Sequence, residues 1–263
     1  MRISIVIPAY NEAGNIARLV SETLAAVPDA MLGEIIVVDD CSADATGAEL
    51  RALGAERLRC LRHAHRAGQS AALRTGVRAA RHAIIVTMDG DGQNDPKNIA
   101  ALVQRLGVDQ GGEPALVGGV RARRRASGSR RWASLFANWL RGRLLKDGCP
   151  DTGCGIKAFH RAAFLDLPYF STMHRYLPAL FLTYGHRVAY VPVNDRPRLA
   201  GRSKYTNLGR ALVGIYDLVG VAWLRRRTVL PAVTEESGAN VRTILPRTPE
   251  PAIHVAAARA LAP

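Results

Sequence analysis

The stretch "IIVTMDGDGQNDP", Ile84 to Pro96, passes without a break from one kind of chemistry to another. "IIVTM" is an apolar, β-branched run of the length of a buried strand. It is followed by Asp89 and Asp91 one residue apart, then Gln93, Asn94 and Asp95, closed by a proline. Buried strands that end in polar groups are what an α/β sheet shows where its strand ends meet a ligand. Working outward, "ISIVIP", "EIIVVDD", "RLRCLRH", "ALVGGV" and "RVAYVPV" read as further strands. Between them Ile16, Leu19, Val20, Leu24 and Val27 recur at helical spacing. "CSADATGAELRALG", with Ser42 or Asp44 as cap, "GQSAALRTGVRAAR" and Lys97 to Leu106 supply more helices. The alternation predicts an α/β fold, a mainly parallel Rossmann-like sheet with helices on both faces.

The chain has 263 residues, 48% of them hydrophobic, which suits one α/β domain with appendages. Its formal net charge of +14 favours an anionic partner, whether nucleic acid, an anionic membrane or phosphorylated small molecules. Cys41, Cys60, Cys149 and Cys154 form no CxxC pair and read as reduced thiols. "MRISIVIPAYNE" reads as a strand rather than a signal peptide, so the chain is expected in the cytosol or held peripherally at the cytoplasmic face of a membrane. The domain is expected over 1–206. From 207 to 227 an amphipathic helix is expected, with Leu208, Leu212, Ile215, Val219 and Trp223 on one face and Arg225, Arg226 and Arg227 behind them. Arg210 and Asp217 interrupt it, and it falls short of the roughly 20 apolar residues a membrane span needs. It packs on the domain or lies on a membrane. Residues 228–263 turn to Pro, Thr, Glu and Ala and read as a largely disordered tail, with a short helix possible at "HVAAARALA".

Three strand ends carry polar residues and should share one edge: Pro8 to Glu12, Asp39 to Asp44 and Asp89 to Gln93. "PAYNEAGN" lacks the glycine pattern of a dinucleotide fold, and there is no P-loop lysine motif. Taken alone, Asp89 and Asp91 fit a simple turn. They also fit a metal site, because residues i and i+2 beyond a strand can face one side and hard oxygens suit Mg²⁺ or Mn²⁺. The seven histidines show no ligand spacing and read as structural; His174 and Arg175 in "TMHRY" are a secondary candidate for contact with a substrate.

"VIPAYNE", "VVDDCSADAT", "GQSAALRTG", "MDGDGQNDP", "DTGCGIKAFHR" and "RLAGRSKY" occur in this order. Together they resemble family 2 glycosyltransferases of the dolichol-phosphate mannosyltransferase type, including bacterial polyprenyl-phosphate glycosyltransferases. The resemblance covers about residues 1–227. It implies a GT-A fold, a nucleotide-sugar donor and Mg²⁺ or Mn²⁺. It also implies a polyprenyl-phosphate acceptor, a membrane surface, room for a small membrane-protein partner, and no nucleic acid. By the family pattern Pro8, Tyr10, Glu12, Val38 and Asp40 line the nucleotide pocket, with Asp40 a better base or ribose contact than Asp39. Asp89, Asp91 and Gln93 surround the metal, Arg121 faces the donor, and Arg202 and Lys204 close over the diphosphate. Asp151 orients the acceptor, or else caps the "GIKAF" segment. Arg130, Arg131 and Ser134 meet the acceptor phosphate. "DTGCG" departs from the Ser-Gly-Phe more usual there, which loosens the reading of Thr152 to Ile156.

The implied reaction is inverting transfer of a sugar from a nucleotide diphosphate to a lipid phosphate. Charge builds on the leaving diphosphate, where a divalent ion, Arg and Lys are effective. Two rivals stand. One is a GT-A enzyme with a hydroxyl acceptor, which needs Asp151 as a base. The other is a non-catalytic membrane-binding protein.

Overall fold

The computed structural model describes residues 1–107, 114–121, 141–196 and 207–231, with side chains after 206 described from 214. It also describes the backbone of three strands further on, at 233–237, 240–245 and 253–255. Ten strands are described: β1 (Ile3–Ala9), β2 (Leu32–Asp39), β3 (Leu58–Arg62), β4 (Ile84–Thr87), β5 (Leu116–Arg121), β6 (Lys157–His160), β7 (Val188–Val193), β8 (Val233–Ser237), β9 (Asn240–Leu245) and β10 (Ile253–Val255). The helices are α1 (Ile16–Ala26), α2 (Thr46–Leu53), α3 (Gln69–Ala79), α4 (Ile99–Leu106), α5 (Arg161–Leu165), α6 (Leu177–Thr183) and α7 (Asn207–Arg227).

Eight strands form one sheet in the order β10-β7-β5-β6-β4-β1-β2-β3. Every neighbouring pair is parallel except those of β6, which runs against both β4 and β5. The centre of the sheet is apolar on both faces, as a covered parallel sheet requires. Ile3, Ile5 and Ile7 of β1 face α1 and α4, whose Ile16, Leu19, Val20, Ile99, Leu102, Val103 and Leu106 complete one core. Val6, Ile36, Val38 and Ile85 face the other way and meet α3, α5 and α6. Strand alternation therefore feeds two cores from the same strands.

The antiparallel β6 was not foreseen. Its four residues, "KAFH", are too short and too polar at the ends to stand out from a loop. In the segment expected to be disordered, β8 pairs with β9 and β10 pairs with β7. Val233, Thr234, Val241, Thr243, Ile244, Ile253 and Val255 give these pieces β-branched strand character. The helix considered at "HVAAARALA" begins instead with β10.

Helix α7 is apolar on two sides. Leu218 and Val221 are buried against the second core. The Thr172 hydroxyl donates to Asp217 at 2.6 Å, and the Tyr176 hydroxyl to the Gly214 carbonyl at 3.2 Å. Ile215, Val219 and Trp223 on the other side are 58%, 61% and 62% exposed, and Tyr216 is exposed beside them. Leu208 and Leu212 of the expected face have no described side chains. Arg225 turns inward onto the Leu145 carbonyl, leaving Arg226 and Arg227 at the surface. No described helix is long and apolar enough to cross a membrane.

Gly76 shows how closely α3 lies on the sheet. A Cβ there would stand 2.3 Å from a methyl of Val6 and 3.2 Å from one of Val38. Gly76→Ala should therefore lose about 1–3 kcal/mol by overpacking, outweighing the roughly 1 kcal/mol that alanine gains in a helix. Gly220→Ala on α7, where nothing lies within 4 Å, should be neutral or stabilising. Urea titrations of the two variants check the contrast, and equal effects would contradict this packing.

Candidate active site

The carboxyl ends of β1, β2, β4 and β5 open onto one edge, as parallel neighbours must. Because β6 is reversed, its beginning lies at that edge too, and it brings the loop 151–156 with it. Thr87 at the end of β4 donates to the Gly155 carbonyl at 3.0 Å. A Cβ on residue 155 would sit 2.1 Å from an Asp89 oxygen, so only glycine allows this approach.

At the β1 and β2 ends the loops are knitted together. Asn11 donates its backbone N–H to Ser42 Oγ at 2.9 Å, and Ala43 N–H donates to the Asn11 side chain at 2.8 Å. Asn11 and Cys41 both adopt positive φ, 52° and 63°. Asn tolerates that region; at Cys41 it is strain held by the surrounding bonds. The Arg66 guanidinium lies 4.2 Å from the centre of the Tyr10 ring, forming a flat cationic and aromatic platform.

Asp40 accepts from Ala67 N at 2.8 Å and Gly68 N at 2.7 Å, and pairs with His63 Nδ1 at 2.8 Å. Burial opposes its charge, but these bonds hold its carboxyl below the usual range. Asp39 points elsewhere, onto Ser42 N at 2.8 Å and Arg62 at 2.6 Å. Val38 is fully buried under α3 and offers the edge no side-chain surface, because strand alternation turns it into the second core. Pro8 lines the cleft, and Glu12 accepts from the Asn15 amide at 3.1 Å.

The turn after β4 is closed by its own side chains. Asn94 Oδ1 accepts from Asp89 N at 2.9 Å, Asp91 from Gln93 N at 3.1 Å, and Gly92 takes φ 74°. Arg196 ties this turn to the body by bridging Asp95 and Glu22, each at 2.5 Å. Gln69 donates to Asp89 at 2.8 Å. Burial, then the charge of Asp91, pushes the Asp89 carboxyl up to about 6. Among the described residues no group of three His, Cys, Asp or Glu could hold a metal ion. What stands here is a carboxylate pair whose mutual repulsion a cation would relieve, with a cavity beside Asp89. That donor set fits Mg²⁺ or Mn²⁺, which commonly takes one or two carboxylates and completes its shell from substrate.

Arg121 and Asp151 form a two-pronged pair, Nε to Oδ2 at 2.6 Å and NH2 to Oδ1 at 2.8 Å. The Asp151 bond, against burial, raises the guanidinium above its already high range. Asp195, just beyond β7, lies 3.7 Å from the same guanidinium; burial is the first cause that raises its carboxyl. Arg130, Arg131, Ser134, Arg202 and Lys204 lie outside the described residues.

Behind Asp89 is a cavity of about 330 Å³. Gln69, Thr152, Cys154, Lys157, His174 and Arg175 are among its walls. Sequence reading assigned no role to Gln69, Lys157 or Asp195, and took His63 as structural. Gln69 and Lys157 lie inside the quoted motifs, but no spacing announces that α3 and β6 meet at Asp89. The His174 ring shares a hydrogen bond with Ser70 Oγ at 2.8 Å.

A mainly parallel sheet with helices on both faces, and one edge gathering acidic turns, aromatic and cationic groups, is the architecture expected of a GT-A glycosyltransferase. The family model for glycosyl transferase family 2 matches residues 4–167, and the chain belongs to that family. It is 33% identical over 237 residues to a dodecaprenyl-phosphate galacturonate synthase of Rhizobium johnstonii, covering 88% of this chain and 69% of the relative. An undecaprenyl-phosphate 4-deoxy-4-formamido-L-arabinose transferase of Edwardsiella ictaluri is 32% identical, covering 82% of this chain and 66% of the relative. The corresponding protein of Pseudomonas paraeruginosa is 34% identical, with 82% and 64% covered. The chain thus spans about two thirds of the length of these curated relatives. Among solved structures, glucosyl-3-phosphoglycerate synthase from Mycobacterium tuberculosis, crystallised with Mn²⁺, UDP and phosphoglyceric acid, superposes with TM-score 0.65 at 20% identity. That match covers 94% of this chain and 87% of the other, and the likeness is one of fold.

His174 makes folding stability sensitive to acid. Burial, then the charges of Arg175 and Lys157, pushes its imidazole down to about 3 from 6.5. Between those values the unfolded chain binds more protons than the folded one, so stability falls as pH drops through that window. His174→Gln keeps a partner for Ser70 but removes the titration. In urea unfolding between pH 7 and 4.5, wild type should lose stability more steeply than H174Q. Parallel slopes would mean that the folded ring protonates as readily as the unfolded one.

Proposed function

We propose that this protein transfers a sugar from a nucleotide-diphosphate donor to a polyprenyl phosphate, with inversion, at a membrane surface. The observation that carries the reading is the Asp89–Asp91 pair at the strand edge, with the Arg121–Asp151 pair beside it. In transfer, the bond from sugar C1 to the diphosphate oxygen breaks and its electron pair stays on the diphosphate. A new bond forms from C1 to an acceptor phosphate oxygen on the opposite face. Asp89 and Asp91, with Gln93 at the turn, would hold the divalent ion; when bound, it offsets charge on the leaving diphosphate. Tyr10, flanked by Arg66, gives the nucleotide base a surface to stack on. Asp40 anchors the loop 63–68, so any contact it makes with base or ribose shares oxygens already accepting from the protein. Arg121, fixed by Asp151, presents positive charge to the donor, and Arg202 and Lys204 are proposed to cover the diphosphate.

The bound state of Asp151 bears on the acceptor. Both its oxygens are engaged by Arg121. A hydroxyl acceptor needs a carboxylate free to take a proton, whereas a lipid phosphate is already anionic. This supports the phosphate over the hydroxyl. Relatives named for polyprenyl-phosphate sugar transfer support it further. Their named sugars differ, galacturonate and a formamido-arabinose, so the sugar does not follow from them.

Asp91→Ala should lower turnover about 10²-fold or more, since one lost charge-stabilising contact costs roughly 3 kcal/mol. EDTA should abolish wild-type transfer from a nucleotide-sugar panel to a short polyprenyl phosphate, and Mg²⁺ or Mn²⁺ should restore it. Full activity in EDTA refutes the metal role.

The membrane reading rests on α7. Ile215, Tyr216, Val219 and Trp223 form an exposed apolar face, with Arg226 and Arg227 at its end. Apolar insertion resists salt, while the attraction of arginine to anionic lipid weakens as the Debye length falls from about 10 Å at 0.1 M to 3 Å at 1 M. Flotation with anionic vesicles should show binding that high salt reduces but does not remove. Ile215→Asp with Val219→Asp should eliminate the salt-resistant part. Wild type that ignores such vesicles at low salt would leave a membrane-protein partner as the route to the lipid.

A further inference from the structure

The cavity behind Asp89 has a charge balance that the metal-site reading does not use. Its charged walls are one carboxylate, Asp89, and two cations, Lys157 and Arg175; burial keeps His174 neutral near pH 7. Lys157 projects from the first residue of β6 and is 7% exposed. Its ammonium donates to the Cys154 carbonyl. Asp89 is near enough to feel its charge, yet among the described residues neither Lys157 nor Arg175 has a carboxylate salt-bridge partner. The contrast with the rest of the edge is clear. Arg121, Arg62 and Arg196 each have a carboxylate at 2.5–2.6 Å. Lys157 is buried and Arg175 half-buried, and cations so placed are ordinarily paired, because desolvation of a lone charge is costly. Here the partner is missing on the side that opens into a cavity. In the reading above, Asp89 is committed to the metal ion, which leaves both cations without a counter-charge.

We propose that Lys157 and Arg175 form an oxyanion seat in this cavity, which receives an anionic group of a substrate. Two sources share that chemistry: a carboxylate on the transferred sugar, and the phosphate of the acceptor. The cavity's volume of about 330 Å³ lies at the small end of ligand pockets, roughly 300–1,000 Å³, which suits one sugar ring or one phosphate. The guanidinium of Arg175 can meet either anion with two parallel N–H donors, and Lys157 adds a point charge beneath. Arg175 stands in the 3-10 turn Met173–Arg175, next to the neutral His174 that is bonded to Ser70 on α3. The turn is therefore held to the helix that also carries Gln69, the partner of Asp89. This seat rests on the transfer reading for its substrates, but not for its charge.

The test uses full-length Arg175→Gln and Arg175→Lys with Mn²⁺, a polyprenyl phosphate, and two donors on one nucleotide, a hexuronate and its neutral hexose. A hydrogen bond to a charged group corresponds to about 10- to 100-fold. A loss of kcat/KM of that size confined to the hexuronate, partly restored in Arg175→Lys, supports a seat for the sugar carboxylate. A rise of that size in KM for polyprenyl phosphate with both donors, again partly restored by lysine, supports a seat for the acceptor phosphate. Unchanged donor preference and unchanged KM values overturn the seat. So does an equal loss in kcat alone that lysine does not restore, since that is the mark of a structural role. Should wild type transfer no sugar from either donor, calorimetry of protein loaded with Mn²⁺ and UDP decides separately, with inorganic phosphate and free hexuronate as probes. Binding that Arg175→Gln weakens keeps the seat while the transfer reading fails. No binding by wild type overturns the seat as well.

Discussion

The reversed strand β6, lying between β4 and β5, is the constraint on which the rest of the site depends. A parallel sheet brings the carboxyl ends of its strands to one edge, but with them only the loops that leave those ends. A strand running the other way contributes the loop that enters it. That loop carries Asp151, Cys154 and Gly155, and the strand itself begins with Lys157. The contact is possible because residue 155 has no side chain: Asp89 lies where a Cβ would be. The Thr87 hydroxyl bond to the same glycine's carbonyl closes the seam. If β6 slipped by one residue, Lys157 would face the other core and the Asp89 carboxylate would meet a side chain.

Electrostatics then divides the edge into regions. On the β2 side, carboxylates are consumed by the protein. Asp39 takes Arg62, and Asp40 takes His63 and two backbone N–H groups, so both serve to shape loops. On the β5 side Asp151 is likewise consumed, by Arg121. Between them Asp89 and Asp91 repel one another, with Gln69 as the donor to the first. The cations Lys157 and Arg175 lie just behind. A region of close, incompletely balanced charge is costly to maintain, and it makes sense as a place where phosphates and a divalent ion supply the balance.

Helix α7 shows the same economy in packing. A helix that served only the domain would bury one stripe and leave the other polar. Leu218 and Val221 form the buried stripe, while Ile215, Val219 and Trp223 repeat on the exposed side. Asp217, the acidic residue that interrupts the apolar run, accepts from Thr172 and so fixes the helix to the segment just before His174 and Arg175. The surface helix and the cavity are thus mechanically linked through a few residues.

The sequence by itself determined the strand and helix alternation, the mainly parallel sheet, and the family. These follow from short-range patterns, namely β-branched apolar runs, helical spacing of Ile, Leu and Val, and turn residues after each strand. It also pointed to three polar strand ends, and the parallel sheet places them together. Only the tertiary structure decided which carboxylates pair with cations of the protein. Asp151 read as an acceptor contact, with a cap as the alternative, and the structure pairs it with Arg121, thirty positions away. Val38 matched a pocket motif, yet the alternation of β2 turns it into the core. Gln69 and Lys157 carry no recognisable spacing because strand order brings α3 and β6 to Asp89, and Asp195 carries none because strand order brings the end of β7 to Arg121. The four-residue β6 has no local signature either: it exists because the gap between β4 and β5 leaves two rows of backbone groups that only another strand can satisfy.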